Sequence, residues 1–267
     1  AEGMIDEVGR VQNTITPSRS SDEIGDLSRS FSNIVERLTQ YTAYLENMSS
    51  RLSHELRTPV TVVRSSLENL SLCENNAESK VYLDRAEEGI SRLNLILTHM
   101  SEATRLEQML QTSEKEKIEL REVVDGSVEG YKLAYPLSNF EADLPKYPIY
   151  ITGVPEYIAQ LLDKLVANAV EFSHKDQPIK VYCRTLRDHA IVKVSNAGPF
   201  LPEEMKERIF DSMISVRSQE RQRQPHLGMG LHIARLITEF HGGQIRAENQ
   251  KDQEGVTITV VIPLYYD

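Results

Sequence analysis

The stretch Leu52-Ser53-His54-Glu55-Leu56-Arg57-Thr58-Pro59 decides how the first part of this chain is read. Upstream of it the apolar positions run Ile24, Leu27, Phe31, Ile34, Leu38, Tyr41, Leu45, Met48 and Leu52, in steps that alternate between three and four. That is a coiled-coil seam held for about four heptads. A single helix cannot bury it, so the spacing predicts self-association. At Leu52 the rhythm slips. Leu56 follows after a second consecutive step of four, and Val60, Val63, Leu67 and Leu70 continue from there. An added four-residue step locally unwinds a left-handed supercoil. Pro59 is a second disturbance, because it has no N–H for the carbonyl of Glu55 and crowds that turn. Both irregularities fall beside His54, and a helix that only dimerised would need neither.

Beyond this helix a polar break at Cys73-Glu74-Asn75-Asn76-Ala77-Glu78-Ser79 precedes a second periodic segment carrying Leu83, Ala86, Ile90, Leu93, Leu97 and Met100. Two helices joined by a short polar loop make an antiparallel hairpin, and two such hairpins make a four-helix bundle. After about residue 112 the pattern becomes mixed. Strand-like runs occur at Ile179–Thr185, Ala190–Ser195, Gln244–Glu248 and Val256–Ile262, with amphipathic helices near 154–172 and 229–241. The fold class expected is multidomain: an all-α coiled coil and dimeric four-helix bundle, followed by an α+β sandwich with helices on one face of its sheet.

The 267 residues leave room for both parts to bury a core, and the formal net charge of −10 argues against non-specific nucleic-acid binding. Cys73 and Cys183 are the only cysteines, far apart in sequence and outside any CxxC, which fits a reducing compartment without structural zinc. His226, His232 and His241 have no recognised metal spacing, and Gly242-Gly243 reads as a helix stop. No apolar run approaches the roughly 18 residues of a membrane span. The first residue is Ala1 and helical patterning starts almost at once, which reads as a piece of a longer protein with a membrane anchor upstream.

The seven residues from Ser53 to Pro59 resemble the H-box of sensor histidine kinases, in which the histidine is phosphorylated on a helix of a dimeric bundle. Imidazole is a competent nucleophile at neutral pH. The resemblance makes His54 the phosphoacceptor, and Glu55 can orient the imidazole or take its proton. Thr58, one turn on, stands where the family positions water to dephosphorylate the partner response regulator. Residues 160–169, Gln-Leu-Leu-Asp-Lys-Leu-Val-Ala-Asn-Ala, look like the N-box, whose asparagine, here Asn168, ligates Mg²⁺. Val194–Pro202, with Asn196 and Gly198, looks like the adenine-binding G1 box, and Gly228-Met229-Gly230-Leu231 looks like the phosphate-binding G2 box at a helix start. Arg208–Asp211 resembles the F-box, and Ser218–His226 would be the lid over the nucleotide. Asp22–Leu27 looks like the start of the second HAMP helix.

These matches imply an ATP-binding domain of the gyrase, Hsp90 and histidine-kinase type. They divide the chain into a partial HAMP linker and coiled coil (1–45), a dimerisation and phosphoacceptor hairpin (46–112) and a catalytic ATP-binding domain (113–267). The expected cofactors are ATP and Mg²⁺, and the expected partners are a second copy of the chain and the receiver domain of a response regulator. The expected setting is the cytoplasmic portion of a bacterial inner-membrane protein.

Four positions depart from the family pattern. Asn196 stands for an aspartate, Phe200 for a glycine, Lys164 for an asparagine, and Glu171 for a residue often basic. Lys164, Asn168 and Glu171 share one helical face. Lys164 is therefore expected to supply a phosphate contact, or Glu171 to join the Mg²⁺ shell through water. The alternative reading is a dimeric signalling scaffold with a degenerate nucleotide pocket. A gyrase-type or chaperone-type ATPase fits less well, because those lack the H-box hairpin.

Overall fold

The computed structural model describes residues 23–73, 75–174, 176–212 and 228–266. The expected lid at Ser218–His226, His226 itself and the HAMP-like stretch before Glu23 lie outside the described residues. The chain forms two compact units that divide within one helix, at Gly89–Ile90.

The first unit is helical. α1 runs from Glu23 to Leu70, unbroken through Pro59, and α2 runs from Asn76 to Thr112. The expected polar break is shorter than its composition suggests. Helix resumes at Asn76, because the Asn75 side chain accepts the Ala77 N–H at 3.1 Å and caps the first turn. Pro59 is buried, and so are Ala86 and Gly89 on α2. Leu27, Phe31, Ile34 and Leu38 of the expected seam are exposed. Among the described residues no helix is long and apolar enough to cross a membrane.

In the second unit β1 (Glu116–Glu119) pairs antiparallel with β3 (Tyr150–Gly153). A five-stranded mixed sheet has the order β2-β4-β5-β7-β6, from β2 (Phe140–Asp143), β4 (Ile179–Leu186), β5 (His189–Ala197), β6 (Gln244–Asn249) and β7 (Gly255–Pro263). Only the β2–β4 pair is parallel. Strand alternation builds one buried face. Val181 and Cys183 of β4 stand opposite Val194 and Val192 of β5, which stand opposite Ile258 and Val260 of β7. Helices α3 (Leu120–Ala134), α4 (Pro155–Phe172) and α5 (Gly230–Phe240) pack against the sheet. α4 buries Tyr157, Ile158, Leu161, Leu162, Leu165, Val166 and Ala169, a stripe at helical spacing. The four long strands and both amphipathic helices therefore lie where the sequence places them.

Candidate functional site

On α1 the His54 imidazole is exposed and makes no hydrogen bond among the described residues. Thr58 is also exposed, and its hydroxyl reaches back to the His54 carbonyl at 3.5 Å. Glu55 is half-buried. Pro59 follows on the buried side. The histidine thus sits in solvent on the turn that the proline disturbs.

In the second unit the inward row of β5 runs Ala190, Val192, Val194 and then Asn196, so strand alternation carries a side-chain amide onto the core face at the strand's end. Asn196 is 8% exposed and its side chain has no hydrogen-bond partner among the described residues. Its backbone carbonyl accepts the Gln250 amide at 3.0 Å. The turn that follows needs Gly198, since a Cβ there would lie 2.2 Å from the carbonyl oxygen of Phe172 at the end of α4. His174 N–H to Ala197 carbonyl, 2.7 Å, closes the same junction. The Asn249 amide then grips both backbone groups of Leu201, at 2.8 and 2.9 Å. Phe200, between these anchors, is exposed.

Gly228 adopts φ +68°, a conformation that favours glycine, and Gly230 opens α5 with open space in front of its Cβ position. Among the described residues α5 has no side-chain cap, and its first turn holds no acidic residue. Its first N–H groups and positive dipole end therefore remain available to an anion. Leu231 beside them is half-buried. α4 and α5 pack side by side, and the Gly198 turn abuts the end of α4, so these segments converge.

On α4 Asn168 is half-buried and its side chain is uncommitted among the described residues. Glu171 is exposed one turn on. Lys164 is engaged elsewhere: its ammonium pairs with Glu102 of α2 at 2.6 Å. Ser113 and Tyr157 share a 2.7 Å hydrogen bond, and Lys115 donates to the Phe240 carbonyl while lying 4.4 Å from that ring's centre. Glu102 thereby fastens the C-terminal half of α2 to α4, and the segment just after α2 is fastened to α4 and α5. A shallow groove lined by Leu97, Met100, Ser101, Thr104, Arg105 and Gln108 lies wholly on α2.

Two buried histidines, read in the sequence only as non-ligands, position this site. His232 on α5 is 1% exposed, and its Nδ1–H donates to the Phe210 carbonyl at 3.2 Å, holding the F-box-like turn. Burial, helped by Arg235, pushes its pKa down to about 4. His241, after the last turn of α5, donates from Nδ1 to the Ile237 carbonyl at 2.7 Å and accepts the Val154 N–H at Nε2, 3.2 Å away. That N–H belongs to the N-cap residue of α4, which no side chain of its own caps, with Pro155 next in the first turn. Gly153 is required beside it, because a Cβ would lie 2.3 Å from the His241 ring. Burial holds the His241 pKa down and keeps the imidazole neutral, as its accepting Nε2 requires.

Residues 44–109 match the family described as the His Kinase A (phospho-acceptor) domain, and residues 153–266 match the histidine kinase-, DNA gyrase B- and HSP90-like ATPases. The chain carries both domains of the sensor histidine kinases and belongs to that family. It is 31% identical over 247 residues to the sensor protein ChvG of Rhizobium meliloti, covering 89% of this chain and 43% of that one. It is 23% identical over 252 residues to the signal transduction histidine-protein kinase ArlS of Staphylococcus aureus, covering 94% of this chain and 56% of that one. The chain therefore spans about half the length of the curated relatives it matches. Its fold is also that of histidine kinase ThkA, solved in complex with response regulator protein TrrA, with TM-score 0.62, 23% identity, and coverage of 94% of this chain and 74% of that one.

Proposed function

We propose that this chain is the cytoplasmic transmitter of a membrane-anchored sensor histidine kinase, a homodimer that phosphorylates its own His54 from Mg-ATP and passes the group to an aspartate of a response regulator. The observation that carries this reading is the exposed His54 on the perturbed turn of α1, in one chain with an ATPase-type domain. The proposed parts are a HAMP-type linker and coiled coil over 1–45, the phosphoacceptor hairpin over 46–112 and the catalytic domain over 113–267.

The site residues fit a nucleotide. Asn196 offers adenine a buried amide that is unpartnered among the described residues, Gly198 lets the backbone turn close beside it, and Gly228, Gly230 and Leu231 present to phosphate a start of α5 that no described side chain caps. The Asn168 amide suits Mg²⁺, a hard cation that keeps several waters and takes phosphate oxygens. Glu171 lies one turn away, within reach of that shell through water. Among the described residues no three His, Cys, Asp or Glu side chains form a metal cage, so the ion would draw on Asn168, water and phosphate. When bound, Mg²⁺ supplies charge neutralisation to the phosphates.

In the transfer, His54 forms an N–P bond in line as the γ-phosphorus loses its bond to ADP, and ADP departs. Glu55 orients the imidazole and accepts its proton. Thr58, on the same face, would place the water that hydrolyses the regulator's acyl phosphate, giving a phosphatase as a second activity.

Incubation with γ-labelled Mg-ATP tests this reading. Acid-labile label on the parent and none on His54→Gln is the expected result. A folded parent without label favours the second reading, a signalling scaffold. That reading draws support from the amide at Asn196 and from the commitment of Lys164 to Glu102.

A further inference from the structure

Gly89 lies in the interior of α2, where glycine is less favourable than alanine. Its φ is not positive, so no turn geometry demands it; among the described glycines only Gly228 and Gly242 have positive φ. What demands it is contact. Gly89 is buried against α1, and a Cβ there would lie 2.6 Å from Val63 Cγ2 and 3.2 Å from the Pro59 carbonyl oxygen. Val63 is β-branched and stiff at χ1, so it cannot swing aside cheaply. The Pro59 oxygen is backbone and moves only with the helix.

Pro59 is also where α1 is weakest. Having no N–H to donate to the turn before it, Pro59 makes the stretch between the His54 turn and Val63 the place where α1 bends most readily. A bend can take several values, and something must select one. The geometry points to Gly89 as a positioning residue for phosphoryl transfer. By admitting the α2 backbone against Pro59 and Val63, it sets the bend and rotation with which α1 presents His54. Gly89 touches neither His54 nor nucleotide, and the inference rests on His54 being the phosphoacceptor.

The test uses the whole chain as parent, Gly89→Ala, Val63→Ala and the double variant, with kcat and KM for Mg-ATP in autophosphorylation, circular dichroism and sedimentation. Misplacing a reacting group by about 1 Å can cost up to about 100-fold. Gly89→Ala is therefore expected to lose about tenfold or more in kcat, with KM, helix content and assembly state retained. Removing the obstructing methyls should restore the seat, so the double variant labels at the rate of Val63→Ala alone. This kcat-against-KM split and the size-swap rescue would not follow from a merely structural role. If Gly89→Ala fails to fold, the double variant must still fold and label at that rate.

A labelled parent with Gly89→Ala equally active overturns the proposal alone. So does a loss shared equally by KM, or a double variant that is not rescued. An unlabelled parent overturns the function reading itself, and the proposal with it.

Discussion

At the scale of single residues, the ATPase-type unit depends on places where backbone passes backbone with no room for a Cβ. Gly198 is the sharpest case, 2.2 Å between an added Cβ and the Phe172 carbonyl oxygen. Since neither atom lies on a flexible side chain, Gly198→Ala must push β5 and α4 apart. Urea unfolding should show a loss of about 2 kcal/mol, the usual cost of overpacking, and isothermal titration should show weaker Mg-ATP binding. An unchanged unfolding midpoint would mean that the turn yields without cost.

Lys164 gives a second prediction. Its ammonium is held by Glu102 while Asn168, one turn on, is uncommitted among the described residues. If Lys164 exchanges Glu102 for a phosphate oxygen when nucleotide arrives, the two groups compete for it. Glu102→Gln should then raise Mg-ATP affinity a few-fold and Lys164→Ala should lower it. Equal affinity in all three proteins would confine Lys164 to fastening α4 on α2. Sequence placed Lys164 on one helical face with Asn168, but its partner Glu102, 62 residues away, is visible only in the folded chain.

At the scale of elements, legibility followed length and period. β4, β5, β6 and β7 alternate over six to nine residues, and α4 and α5 carry apolar stripes, so their places could be read to within a residue or two. Residues 113–153 gave no such reading. β1, β2 and β3 have four residues each, too few to show a period, and they exist because of distant pairing: Glu116 with Gly153, Phe140 with Ile179. α3 did leave a signal in Leu120, Val124, Val128 and Tyr131. It also has a cap in Glu119, whose carboxylate accepts from Arg121 and Glu122 N–H.

In the sequence the histidines that tie α5 to its neighbours had no assigned role, because a buried neutral histidine is defined by what surrounds it. They carry a pH prediction. Folded His232 resists protonation down to about pH 4, whereas the unfolded chain takes up the proton near pH 6.5. Between those values the unfolded state binds the extra proton, so stability is lost as pH falls through that window, by up to about 3 kcal/mol at its lower end. His241 acts in the same direction. The charged groups near His232 are Arg235, which opposes protonation, and Asp211, which favours it less strongly. Urea midpoints at about pH 7 and about pH 5 should diverge for the parent and converge in part for His232→Gln. Equal divergence in both would assign the acid sensitivity elsewhere.

At the scale of the whole molecule, the question is what covers the apolar rows that one chain leaves in water. On α2, Leu83, Ile90 and Leu97 are exposed at intervals of seven, and on α1 Val60 and Leu67 repeat the interval. Leu27, Phe31, Ile34 and Leu38 add an exposed run in the α1 seam. A seven-residue period fits a partner helix in a supercoil better than a random scatter of surface leucines. A second copy of the chain would supply matching rows by symmetry, since a two-fold interface sets the same patch on both subunits. Burying one such side chain is worth about 1.5–3 kcal/mol, so a few rows on each chain are enough to oppose the cost of association. A carboxylate on the row reverses the sign, because it must be desolvated without a partner. Leu83→Glu with Ile90→Glu should therefore sediment as a monomer at concentrations where the parent is dimeric. Circular dichroism should show the second unit, whose core contains neither residue, still folded. Mg-ATP binding should survive while label on His54 falls. A doubly substituted chain that sediments with the parent would place the interface on some other face, and the heptad rows would then need a different partner.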